Sequence, residues 1–299
     1  MTKLIKTVTA TKVSKQPDML GESPVWDPDI GRLYWVDSVE QKIRYWHPGD
    51  DEPSEILMPS MVGSVGLGQP GQLVVGLADG IYRVDIDSGA VTALFRPDPP
   101  NPRARFNDGK VDRQGRFVCG GMGIYAEPVG EVVRVTAAGE ASILANGIRI
   151  SNALCFSPDG GTMYFADSLD RMVRAYTYSE GNGQDVLTEP RMLVDTRQFA
   201  SGPDGATVDA EGCIWVALVQ CGKIARFRPD GELDAMIEAP TDMPTCICFG
   251  GPDLKTLYVT SIKDSGSRRA ISRHPFGGHL FAIDGLDVAG LAEPRLAAI

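Results

Sequence analysis

Histidine is nearly missing from this 299-residue chain, which has only His47, His274 and His279. There is no H-E-x-x-H and no G-x-S-x-G, so zincin and nucleophile-elbow chemistry have no sequence support. Basic runs are absent too, and the net charge is -10. That balance argues against a nucleic-acid or anionic-membrane partner. No apolar run approaches the roughly 18 residues a membrane span needs. The opening "MTKLIKTVTATKVSK" lacks the apolar centre of a signal peptide, so a cytoplasmic location is expected. None of the six cysteines, Cys119, Cys155, Cys213, Cys221, Cys246 and Cys248, forms a C-x-x-C pair. They read as buried thiols of a reducing compartment. "GLGQPG", Gly66 to Gly71, matches a dinucleotide fingerprint only formally. It contains Pro70 and lies between two strand-like runs with no helix after it.

What is present is a repeat. Six units begin "GESPVWDPDIGRLYWVDS", "GSVGLGQPGQLVVGLADG", "NDGKVDRQGRFVCGGMG", "NALCFSPDGGTMYFADS", "DGATVDAEGCIWVALVQ" and "CICFGGPDLKTLYVTS". Each is a short apolar run, a Gly-rich turn and a second β-branched or aromatic run. Most lead to a third, such as "KIRYWHPG" or "KIARFRPDG". With Glu22, Gly63, Asn107, Asn152, Asp204 and Thr245 equivalent, the steps are 41, 44, 45, 52 and 41 residues. Short strands at that period predict an all-β, six-bladed propeller with four-stranded antiparallel blades, a single domain over 1–299. "LIKTVTATKV" near the N-terminus is expected to add a strand to the last blade and close the ring, removing an exposed edge.

The alignment puts Glu22, Asn107, Asn152 and Asp204 in one phase, at the entrance of each innermost strand. Four oxygen-bearing side chains would face one mouth of the channel, where Gly63 and Thr245 leave room. Two carboxylates and two amides with no imidazole or thiol suit a hard divalent cation. A cation would also relieve repulsion between the carboxylates. Arg105, two residues before Asn107, could clamp oxygens of a polar ligand. Asp37 and Asp167 end second strands and are expected to satisfy backbone groups there.

"LGESPVWD", "RFNDGKVDRQGRF", "ISNALCFSPDGGTMYFADS", "PDGATVDAEGCIWVA" and "CFGGPDLKTLYVTS" resemble the gluconolactonase family of sugar lactonases that includes regucalcin (senescence marker protein). The blocks span all six repeats. The resemblance implies a propeller with a central metal site: Glu22, Asn152 and Asp204 as metal ligands, Arg105 and Asn107 at the substrate, and Asp204 as general base. It implies one divalent cation, calcium first, with zinc, manganese, magnesium or iron as alternatives. The expected activity is metal-dependent hydrolysis of an aldonolactone, such as an arabinono-, xylono-, galactono- or gluconolactone, to the sugar acid. Two alternatives stand beside it: the same site as an esterase for aromatic lactones or organophosphates, and a calcium-binding propeller without turnover. The chain departs from the family pattern at Gly120-Gly121-Met122, usually G-T-M. It departs again at Gly123-Ile124-Tyr125, where the family often places an acidic substrate contact. Tyr125 and Glu127 are left without a role.

Overall fold

In the computed structural model, residues 3–4, 8–179, 187–267 and 270–298 are described. Six sheets follow one another along the chain. Their innermost strands are Gly21–Asp27, Val62–Leu67, Ala104–Val111, Ser151–Phe156, Pro203–Val208 and Pro244–Gly250. Each touches the next, and the last touches the first, so the sheets form a closed ring of blades. Within each blade consecutive strands pair antiparallel. This is the six-bladed, four-stranded propeller that the repeat predicts. Blade five carries an extra edge strand, Lys3–Leu4, parallel to Ala235–Met236.

The ring closes as expected. Thr9–Lys12 pairs antiparallel with Phe281–Asp284 and forms the outer strand of blade six. Residues 5–7 of the predicted closing segment lie outside the described residues.

The hydrophobic core is divided rather than central. Six buried clusters each fill one gap between adjacent blades. Strand alternation explains this. On Arg32–Asp37, Tyr34 and Val36 pack toward blade two, while Leu33 and Trp35 pack toward blade six. Both faces of each sheet are therefore apolar, and the axis is left to polar side chains. Cys119, Cys155, Cys213, Cys246 and Cys248 are buried free thiols, and Cys221 is half-buried. "GLGQPG" is the turn between Val62–Leu67 and Gln72–Leu77.

The chain's end straps one face of the ring. Gly290 bridges Asp209, and Arg295 bridges Leu67. Leu296 N donates to Leu67 O and Ala297 N to Gly115 O, each at 2.8 Å. Arg295 binds Asp27, Asp29 and the carbonyl of Gly68. These partners sit at the first turns of blades one, two, three and five, the face opposite the strand entrances.

Candidate active site

All six innermost strands carry the same defect at the same place. Two residues stand against one between Glu22 and Val25, Phe106 and Gly109, Asn152 and Cys155, Pro203 and Ala206, and Pro244 and Ile247. Blade two skips one between Val62 and Ser64. Each is a bulge with one extra residue, a device that re-aims side chains. Ser23 and Ala153, immediately after Glu22 and Asn152, sit at φ 50° and 54°. Non-glycine residues hold that left-handed conformation only where surroundings enforce it. The bulge turns one residue to the axis and the next to the neighbouring blade. Thus Ser23 Oγ accepts from Val65 N at 3.0 Å, and Asp108 Oδ2 accepts from Leu154 N at 2.9 Å.

The two repeat positions without a carboxylate or amide have packing reasons. A Cβ on Gly63 would stand 2.6 Å from the carbonyl oxygens of Phe106 and Asn107. Thr245 is buried and donates its hydroxyl to Gly21 O, beside Glu22. Gly205, next to Asp204, is equally constrained: a Cβ there would lie 2.1 Å from Cys246 Sγ.

Glu22, Asp204, Asp108 and Arg105 lie close enough to shift one another's protonation. Burial, then Asp204 and Asp108, hold the Glu22 carboxyl well above its usual range, against the pull of Arg105. Burial and Asp108 do the same to Asp204. Asp108 itself is pushed up to about 6 by burial. Burial lowers Arg105 to about 10, opposed chiefly by Glu22, so it stays a cation near neutral pH. Arg105 is half-buried and donates to Phe106 O at 2.9 Å, so it is not a solvated loop charge. Asn107 Nδ2 donates to Ser151 O at 2.8 Å and to Asn152 Oδ1 at 3.3 Å. A carbonyl can only accept, which fixes the Asn107 amide with Oδ1 free of the bond. Asn152 Nδ2 donates to Ser168 Oγ at 2.8 Å.

The expected central metal site is corrected here. Among the described residues no group of three or more His, Cys, Asp or Glu side chains is placed to hold a metal ion. Asp108 spends its carboxylate on blade four, and Asn152 Oδ1 already accepts from Asn107. Glu22 and Asp204 remain as a carboxylate pair with a cation, Arg105, beside Glu22. The propeller stands. Its central metal, calcium and the alternative cations, and the metal-dependent form of the reaction are not supported.

Arg105, which is close to Glu22, lines a cavity of about 1400 Å³ together with Phe106, Arg103, Met122, Tyr125 and Ser265 among others. Toward the chain's end the channel is stoppered. Lys110 Nζ donates to Ala206 O and pairs with Glu293 of the terminal strap, both at 3.1 Å. Burial disfavours the Lys110 charge, but the surrounding groups together, Glu293 foremost, outweigh it and the ammonium is held above its usual range. Asp108 thus lies toward Lys110 and the strap, and Glu22 toward Arg105 and the cavity. Sequence reasoning missed Asp108, which the Asn-Asp-Gly context disguises as turn chemistry, and Lys110, whose signal is a charge inside an apolar inner strand. Asp37 and Asp167 do accept from backbone amides, as expected. His47, His274 and His279 bond elsewhere, to Gly31, Phe276 and Ser14.

Comparison with known proteins settles the family. Residues 20–263 match the SMP-30/Gluconolactonase/LRE-like region. The chain belongs to this family. A 6-deoxy-6-sulfogluconolactonase of Pseudomonas putida is 36% identical over 290 residues, covering 95% of this chain and 97% of that one. Regucalcin of Xenopus laevis is 34% identical over 285 residues, covering 93% and 95%. A solved luciferin-regenerating enzyme superposes with TM-score 0.88 at 28% identity, covering 98% of this chain and all of that one. Glu22, Arg105, Asn107, Asn152 and Asp204 all fall within the matched residues. No helix among the described residues is long and apolar enough to cross a membrane.

Proposed function

We propose that this propeller hydrolyses the ester bond of a sugar lactone beside the cavity that Arg105 lines. The observation that carries the reading is the group of carboxyls Glu22, Asp108 and Asp204, all held above their usual range, with Arg105 close to Glu22. Acids whose environment perturbs them strongly in a concave site mark acid–base chemistry. Family membership, and the lactone named for the Pseudomonas putida relative, support the substrate class.

The chemistry follows from the side chains. Asp204 accepts a proton from the attacking water; its carboxylate accepts no hydrogen bond from a described residue and is free to do so. Burial raises its basicity, which brings a carboxylate toward the pH where general-base catalysis works. Water adds to the lactone carbonyl, and the developing oxyanion lies against the Arg105 guanidinium. The ring C–O bond then breaks, and the protonated member of the acid cluster returns the proton to the departing alkoxide. Net, one water adds across one ester bond. Asn107 Oδ1 accepts from a ring hydroxyl and orients the sugar.

A propeller that binds a sugar acid or lactone without turning it over is the second reading. A pH-stat panel of arabinono-, xylono-, galactono- and gluconolactone, with aryl esters as controls, separates the two. Acid release above the spontaneous rate on at least one aldonolactone, but not on aryl esters, supports lactonase action. Release from none supports the binding reading.

A further inference from the structure

The cavity has more room and more charge than an unsubstituted monosaccharide lactone uses. Its volume of about 1400 Å³ exceeds the roughly 300–1,000 Å³ common for small-ligand pockets. Two arginines line it, Arg105 near the carboxylates and Arg103 farther along the chain toward solvent. Arg103, exposed, lies in the turn just before the strand Ala104–Val111, and Arg105, half-buried, lies within it, so one wall carries a cation nearer solvent and a cation nearer the carboxylates.

Arg103 is anchored but unused. Its backbone N donates to Asn101 Oδ1 at 3.1 Å, and its carbonyl accepts from Ile124 N at 2.8 Å. Its guanidinium makes no hydrogen bond or ion pair with any described residue. No nearby acid among the described residues forms an ion pair with it, although Glu127 feels its charge and Glu131 lines the same cavity. Asp79, in the cavity wall, is bound by Arg96 at 2.8 Å and by Tyr82 at 2.9 Å. Glu127 accepts from Tyr125 N at 2.9 Å. In a chain of net charge -10, a cation held on the rim of this cavity without an ion pair is available to a ligand.

We propose that the substrate carries an anionic group on the carbon distal to the lactone carbonyl, and that Arg103 binds it. A sulfonate, phosphate or carboxylate would each fit, because the guanidinium fork matches planar or tetrahedral oxyanions through paired hydrogen bonds. Arg103 would then select substrate, with Arg105 and the carboxylates left to the ester. The placement of the carbonyl rests on the lactonase reading above; the anion subsite is tested separately.

Titration calorimetry of the whole chain with gluconate and with 6-phosphogluconate reads the subsite without turnover. The parent is expected to bind 6-phosphogluconate at least tenfold more tightly, a charge-assisted bond at a part-exposed site. Arg103→Gln should cut that ratio to less than about threefold, and Arg103→Lys should keep an intermediate one. A parent without the preference, or an unchanged ratio in Arg103→Gln of native circular dichroism, overturns the proposal. Rates on gluconolactone bearing 6-sulfonate, 6-phosphate or a 6-carboxylate then distinguish the sources, the largest Arg103-dependent kcat/KM naming the group. If no lactone is hydrolysed, the lactonase reading falls while the binding ratios still decide on Arg103.

Discussion

Lys110 and Glu293 are 183 residues apart and meet inside the channel, Nζ to Oε1 at 3.1 Å. Their side chains are 13% and 10% exposed, so the pair is substantially buried. Lys110 also holds Ala206 O, two residues beyond Asp204 on the same strand. The terminal strap thus both closes the floor and braces the strand that presents a candidate base.

Glu293→Ala should therefore destabilise the protein more than a surface change does. Breaking a buried pair strands the remaining charge and typically costs about 3–5 kcal/mol. Glu293→Gln, which keeps an acceptor, should cost less. Denaturant midpoints of the three proteins check this; a change under about 0.5 kcal/mol for Glu293→Ala would place the strap outside the folded core.

Asp108 gives a pH-dependent prediction. Its folded pKa is about 6 against an ordinary 3.8. The folded state therefore holds the proton more tightly. Stability from this group is greatest below about 3.8 and falls as pH rises through 6. The full penalty is on the order of 3 kcal/mol. Asp108→Asn keeps an acceptor for Leu154 N and removes the charge. Its melting temperature should exceed the parent's by a few degrees at pH 8 and match it near pH 4. Equal or lower stability at pH 8 would show that Asp108's charge is compensated by Lys110.

Arg105→Ala should lower kcat/KM on the best aldonolactone by roughly 10²–10³-fold, the range for losing one oxyanion donor. Arg105→Lys keeps the charge and loses the fork, so it should fall between. Steady-state rates decide. An Arg105→Ala enzyme within threefold of the parent would remove Arg105 from the reaction.

How far the sequence carries depends on the kind of fact. The repeat was legible because blades are buried on both faces, so Tyr34 and Val36 against Leu33 and Trp35 write the pattern into every unit. The shared phase of Glu22, Asn152 and Asp204 was legible for the same reason. Their donor geometry was not. Whether Asn152 Oδ1 is free depends on Asn107 in the next blade, and whether Asp108 faces the axis depends on a bulge and on Leu154. Such contacts cross between blades about 45 residues apart and leave no local trace. That is why a cation site inferred from oxygen types alone was not borne out. Glu293 was illegible for a simpler reason: the strap has no counterpart in the repeat.

The central claim is that the channel carboxylates perform ester hydrolysis. Asp204→Asn tests it most directly, since it preserves size and one carbonyl oxygen while removing the charge and the proton acceptor. The measurement is acid release from the best aldonolactone by pH-stat, at saturating substrate, with the fold confirmed by circular dichroism. A loss of about 10²–10⁴-fold in kcat, as for a general base, is the predicted result. A folded Asp204→Asn protein turning over at the parental rate would contradict the claim.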